Sequence, residues 1–191
     1  MSCGKGMAVR DVINELKSRK VITKIRELFS HSERTIIISD TETNPANIIS
    51  QGYNVRRIST EAGVLTCGLG QGSDEGLQGE LGIDPDKAII QTLMRAKTQG
   101  FRKVVLVINP NSTAGVLDDT SIKQLIDHAV RASFEIDGRV SGLTVMVILH
   151  VPDGGSFVNY RVNSYKWQEF YDAYEQNELG RDSEGAVVGA A

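Results

Sequence analysis

Asp40 and Glu42 stand two residues apart just beyond the run Thr35-Ile36-Ile37-Ile38-Ser39. A short β-branched run that ends abruptly in polar residues reads as a strand buried on both faces. Two carboxylates just past its C-terminal end lie at the edge of an α/β sheet where ligands and metals bind. A second acidic pair, Asp118 and Asp119, precedes a helical pattern, and His150 lies near the end of the apolar run Leu143–Val151. If that run is a strand parallel to the first, His150 comes to the same edge as Asp40 and could serve as a general base. Ser156 follows Gly154-Gly155 but lacks the strand–turn–helix context of an activated nucleophile. Each candidate has a plainer reading: turn or helix-cap chemistry for the acids, and a hydrogen-bonded strand-end residue for the histidine.

The elements that would position these groups follow from periodicity. Val9, Val12, Ile13 and Leu16 form one helical stripe, and Ile22, Ile25, Leu28 and Phe29 restart it after Lys17-Ser18-Arg19-Lys20. This predicts one kinked helix or two short ones, packed on the domain or on a sister subunit. After the first strand, Asn44-Pro45 stops the extended chain. Tyr53–Ile58 reads as a half-exposed strand, and Glu61-Ala62-Gly63 as a hairpin turn into a third strand at Val64–Cys67, antiparallel to it.

Gly68–Gly82 carries six glycines but matches neither a dinucleotide fingerprint nor a P-loop, and the nearby acids oppose phosphate. It reads as a connector or lid. Asp84-Pro85 starts a helix with the stripe Ile89, Ile90, Leu93, Met94 and Lys97, stopped at Gly100. Lys103–Ile108 is a buried strand. Ile122, Leu125, Ile126, Ala129, Val130 and Phe134 mark the next helix, closed by Asp137-Gly138. Leu143–Val151 is the last buried strand, and Phe157–Val162 a further extended piece. Trp167, Phe170, Tyr171 and Tyr174 stripe a final helix, for core or interface packing rather than base stacking. The organisation expected is a helical N-terminal extension over 1–33, one α/β domain over 34–179 and a disordered tail over 180–191.

Composition narrows the class. The chain has 191 residues, 40% apolar and 24% charged, an ordinary balance for a globular domain. No run approaches the roughly 20 apolar residues of a membrane span. The start MSCGKGMAVRDV has no signal-peptide core, so a cytoplasmic protein is expected. Two cysteines without a CxxC, with three histidines, do not make a structural zinc site. The net charge of −3 hides an asymmetry. Residues 1–34 carry eight Lys/Arg against four acids, while 165–191 carry two against six. The basic front could meet nucleic-acid phosphates, or the acidic tail of a second copy.

The order of elements, βββαβαβα over roughly 34–177, resembles the ribonuclease H-like superfamily. Asp40-Thr41-Glu42-Thr43 is similar to the first motif of its proofreading-type 3′–5′ exonucleases. The resemblance implies a central mixed sheet with helices on both faces. It also implies two magnesium or manganese ions held by Asp40 and Glu42, with Asp118 or Asp119 and His150 assisting. The chain departs from that pattern where a further acid is needed, since Asn109-Pro110-Asn111 follows the Lys103–Ile108 strand. The late tyrosine- or histidine-to-aspartate spacing is missing too. The expectation is therefore a non-catalytic assembly or interaction protein on this scaffold, oligomeric or part of a larger complex. The alternative is a metal-dependent nuclease or phosphodiesterase.

Overall fold

The computed structural model describes residues 9–25, 34–40, 43, 54–60, 85–110, 119–153 and 156–184. In chain order they form α1 (Val9–Ser18), β1 (Ile22–Ile25), β2 (Thr35–Asp40), β3 (Val55–Thr60), α2 (Pro85–Thr98), β4 (Lys103–Ile108), α3 (Asp119–Arg139), β5 (Thr144–Asp153), β6 (Ser156–Val162) and α4 (Ser164–Glu184). The six strands make one mixed sheet in the order β1-β6-β5-β4-β2-β3. β3, β2, β4 and β5 are mutually parallel, while β6 and β1 continue antiparallel beyond β5.

Two helix ends show how local chemistry sets the boundaries. At the end of α2, Gly100 N donates to Lys97 O and Phe101 N to Ala96 O, with Gly100 at φ 91°. This is the paired-bond helix stop that a left-handed residue makes possible. α1 ends the same way: Lys20 N donates to Lys17 O and Val21 N to Leu16 O, with Lys20 at φ 57°. A lysine there carries the Cβ crowding that glycine escapes. The chain leaves α1 sharply, and Ile22–Ile25 becomes a sheet-edge strand paired with Val162–Asn159. The second helical stripe expected from Ile22 is thus corrected to a strand; Leu28 and Phe29 lie outside the described residues.

Successive side chains alternate across the sheet. Ile36 and Ile38 of β2, Val104, Leu106 and Ile108 of β4, and Val147 and Leu149 of β5 share one large buried cluster. All four helices feed it, through residues such as Leu16, Leu93, Ile126 and Trp167. The opposite face holds a smaller cluster of Ile37, Val105, Val107 and Ile148, joined by no described helix. Helices on both faces were expected; the described ones pack on one. Right-handed connections explain part of this, because β3→α2→β4 and β4→α3→β5 step the same way along the sheet.

The N-terminal residues belong to this core. Val12, Ile13 and Leu16 are buried in it, and Lys123 of α3, itself only 3% exposed, pairs with Glu15 of α1 at 3.2 Å. Lys123 Nζ also lies 4.2 Å from the Tyr174 ring centre, so one ammonium joins α1, α3 and α4. Trp167, fully buried, donates from Nε1 to Asp127 Oδ1 at 3.1 Å. The aromatic stripe of α4 is core, as its spacing predicts. Met94, expected in the stripe of α2, is instead 46% exposed, and Ala96 takes the inner position.

β2 and β3 are parallel. The hairpin partner expected at Val64–Cys67, the turn at Glu61-Ala62-Gly63 and the Gly68–Gly82 connector lie outside the described residues. α4 is helical to Glu184, past the point at Gly180 where a tail was expected. No described helix is long and apolar enough to cross a membrane.

Candidate functional site

The strand order reverses between β2 and β4: the chain leaves β2 for β3 on one side, then crosses back to β4 on the other. The carboxyl ends flanking such a switch point form the crevice where α/β sheets take ligands. Asp40 closes β2 there, Asn109 follows β4, and His150 lies in β5, so the parallel register brings the predicted residues Asp40 and His150 to one edge of the sheet. By alternation Asp40 is on the helix-covered face, whereas Asn109 and His150 are on the other.

Asp40 is 4% exposed, and both of its oxygens are engaged. Thr43 N donates to Oδ1 and Thr43 Oγ1 to Oδ2, each at 2.6 Å. This is the side-chain-to-backbone closure that lets an aspartate turn the chain as it leaves a strand. Arg57 of β3 braces the turn from outside: Nη2 donates to the carbonyl oxygens of Asp40 and Thr43, both at 2.7 Å, and Nε to Ser39 Oγ at 3.1 Å. Asn109 Nδ2 donates to Thr43 Oγ1 at 3.3 Å. The ends of β3, β2 and β4 are thereby knitted into one polar rim, with Thr43 at its centre.

His150 is 1% exposed. Its Nδ1 lies 2.7 Å from Oδ1 of Asn159, the residue paired with it across β5 and β6. The Phe157 ring stacks on the imidazole, 4.3 Å between centres and 7° from parallel. Burial pushes the His150 pKa down, opposed by the Asn159 bond and by the Asp40 carboxylate. A buried histidine within the field of a carboxylate at a sheet edge is the kind of group that functional sites employ.

A magnesium or manganese site would need several free carboxylate oxygens at this edge. Asp40 brings one carboxylate with both oxygens already accepting hydrogen bonds. Glu42 and Asp118 lie outside the described residues, and Asp119 opens α3 with only its backbone described. Among the described residues no three His, Cys, Asp or Glu side chains come together. The described side chains do not fit the two-metal arrangement that the resemblance implies.

Sequence reasoning missed Thr43, Arg57, Asn109 and Asn159. Thr43 carried a signal, being the residue three positions after an aspartate that can close a turn. Arg57, Asn109 and Asn159 are brought to the edge by tertiary register alone. Compared with protein-family models, with curated proteins and with solved structures, the chain matches none.

Proposed function

We propose that this chain is a non-catalytic interaction protein whose α/β sheet offers the rim at the ends of β3, β2 and β4 as a preorganised recognition surface. The observation that carries this is that Thr43 donates to both oxygens of the Asp40 carboxylate, at 2.6 Å each, so that the side chain is fixed by the turn it closes. A two-metal site needs several carboxylates converging on the ions, whereas among the described residues Asp40 is held in its turn with no other carboxylate gathered beside it. The same bonds, with Arg57 and Asn109, hold loop backbone in a fixed shape, which lowers the entropic cost of meeting a partner.

The assembly reading also changes in substance. The basic residues of α1 and of the turn after it, candidates for contact with phosphates or with a sister chain, are partly used at home. Lys17 Nζ lies 4.7 Å from the Tyr160 ring centre, and the Arg19 guanidinium 5.1 Å from that of Phe170. Partner contacts are therefore assigned to the polar rim rather than to α1.

The experiment is a thermal melt in millimolar Mg²⁺ or Mn²⁺, on the wild type and on Asp40→Asn. A ligand present at a hundred times its Kd stabilises by about 2.7 kcal/mol, a shift of several degrees for a domain of this size. The interaction reading expects no metal-dependent shift in either protein. A shift that disappears in Asp40→Asn would overturn it in favour of the metal-dependent nuclease, and nuclease assays would follow.

A further inference from the structure

His150 is a buried titratable group whose second nitrogen the fold leaves over. An amide oxygen only accepts, so the contact with Asn159 Oδ1 places the imidazole proton on Nδ1 and leaves Nε2 as a bare lone pair. That Nε2 is buried and has no hydrogen-bond partner among the described residues. The Phe157 ring stacked on the imidazole belongs to β6 near the hairpin end, where Pro152 pairs with Phe157 and Asp153 with Ser156.

We propose that His150 is a proton-operated latch on this hairpin: neutral, it fastens the end of β5 to β6, and protonated at Nε2 it releases that end. This goes beyond the interaction reading and does not depend on it. A proton on Nε2 creates a second donor where there is no acceptor, and a buried charge without a partner is costly. Among the described residues the surroundings offer it none. On β6, Arg161 shares the face of Asn159 and is itself positive; on β1, Ile25 opposite Asn159 is apolar. Just past β4, Asn109 is uncharged. On β3, Arg57 is positive and already bound to the carbonyls of Asp40 and Thr43. On β2, Asp40 is the carboxylate whose field reaches the ring, but it lies on the opposite face of the sheet, held there by Thr43 at both oxygens. To gain a partner the imidazolium has to leave its own stack, and leaving the stack gives up the Asn159 and Phe157 contacts together.

The direction in pH follows. Burial, the largest influence, holds the folded His150 pKa below the ordinary histidine value, while the Asn159 bond and Asp40 oppose it. As pH falls through about 6.5 the opened chain takes up the proton before the closed one does. Closure is therefore complete above that value, weakens as pH drops through it and continues to weaken down to the lowered folded pKa.

The test is a histidine-detected NMR titration of the full chain between pH 7.5 and 5, with amide hydrogen exchange across the same range. His150 is expected in the Nδ1–H tautomer and to titrate below 6.5. Protection of the β5–β6 amides near Val151 and Val158, corrected for intrinsic exchange, should fall by up to tenfold per pH unit, the slope of one proton. Protection of β2 and α2 should hold. In Asn159→Asp, a carboxylate facing Nδ1–H should move both the titration and the loss of protection to higher pH. His150 titrating at or above 6.5 in the wild type, or hairpin protection indifferent to its titration, would overturn the latch.

Discussion

At the residue scale, Thr43 holds more of the edge than either acid that drew attention in the sequence. It donates twice to Asp40, accepts from Asn109 and lends its carbonyl to Arg57. Thr43→Val keeps the shape but removes the hydroxyl, leaving Oδ2 of a buried carboxylate without its donor. Stability to urea should fall by about 1–3 kcal/mol, whereas Thr43→Ser, which keeps the hydroxyl, should stay within about 1 kcal/mol of wild type. Two equally mild variants would show that the hydroxyl is idle. Asp40 was legible as chemistry because a carboxylate ending a buried strand is conspicuous. That its work is to close a turn could not be read, since this depends on where one hydroxyl three residues later points.

At the scale of elements, the strands and helices with full periods were legible, several to the residue: Lys103–Ile108 is β4 as expected, and α2 starts at Pro85. The failures have physical causes. β1 has four residues, too few to display an alternation, and Ile22 and Ile25 are three apart, as on a helix. Its pairing with β6, a tertiary contact, decides the matter. The stop before it was hidden because Lys20, rather than a glycine, takes the left-handed position. Lys20→Gly should relieve that crowding and raise stability by about 1 kcal/mol, measured by chemical denaturation. A loss would mean that the lysine side chain earns its place through contacts. The Glu15–Lys123 pair makes a second check on α1. Glu15→Gln takes one carboxylate away from a buried ammonium and should destabilise by roughly 2 kcal/mol, more than Lys123→Met, which removes the buried charge and keeps most of the packing. Melts of the two variants side by side decide the order.

At the scale of the whole molecule, α1 and β1 are as much part of the domain as the central strands. Leu16 is fully buried in the cluster to which all the other helices also contribute. Leu16→Ala should therefore cost about 2–5 kcal/mol, and removing residues 1–20 should unfold the chain rather than merely alter its oligomeric state. A truncated protein that melts cooperatively near the wild-type temperature would restore the N-terminal segment as a detachable extension. The α/β class and the mixed sheet were readable because buried parallel strands announce themselves as unbroken apolar runs. The placement of all described helices on one face was not, since handedness of crossover acts only once strand order is known.

Whether Asp40 serves only to close a turn, as proposed, is tested most directly by paramagnetic broadening by Mn²⁺ in amide NMR spectra. Titrating substoichiometric Mn²⁺ into the wild type should leave the Asp40, Thr43 and Asn109 resonances as sharp as those of the distant α2 amides. Selective loss of those three signals at low Mn²⁺, abolished in Asp40→Asn, would contradict the account and place a metal ion at the carboxyl edge of the sheet.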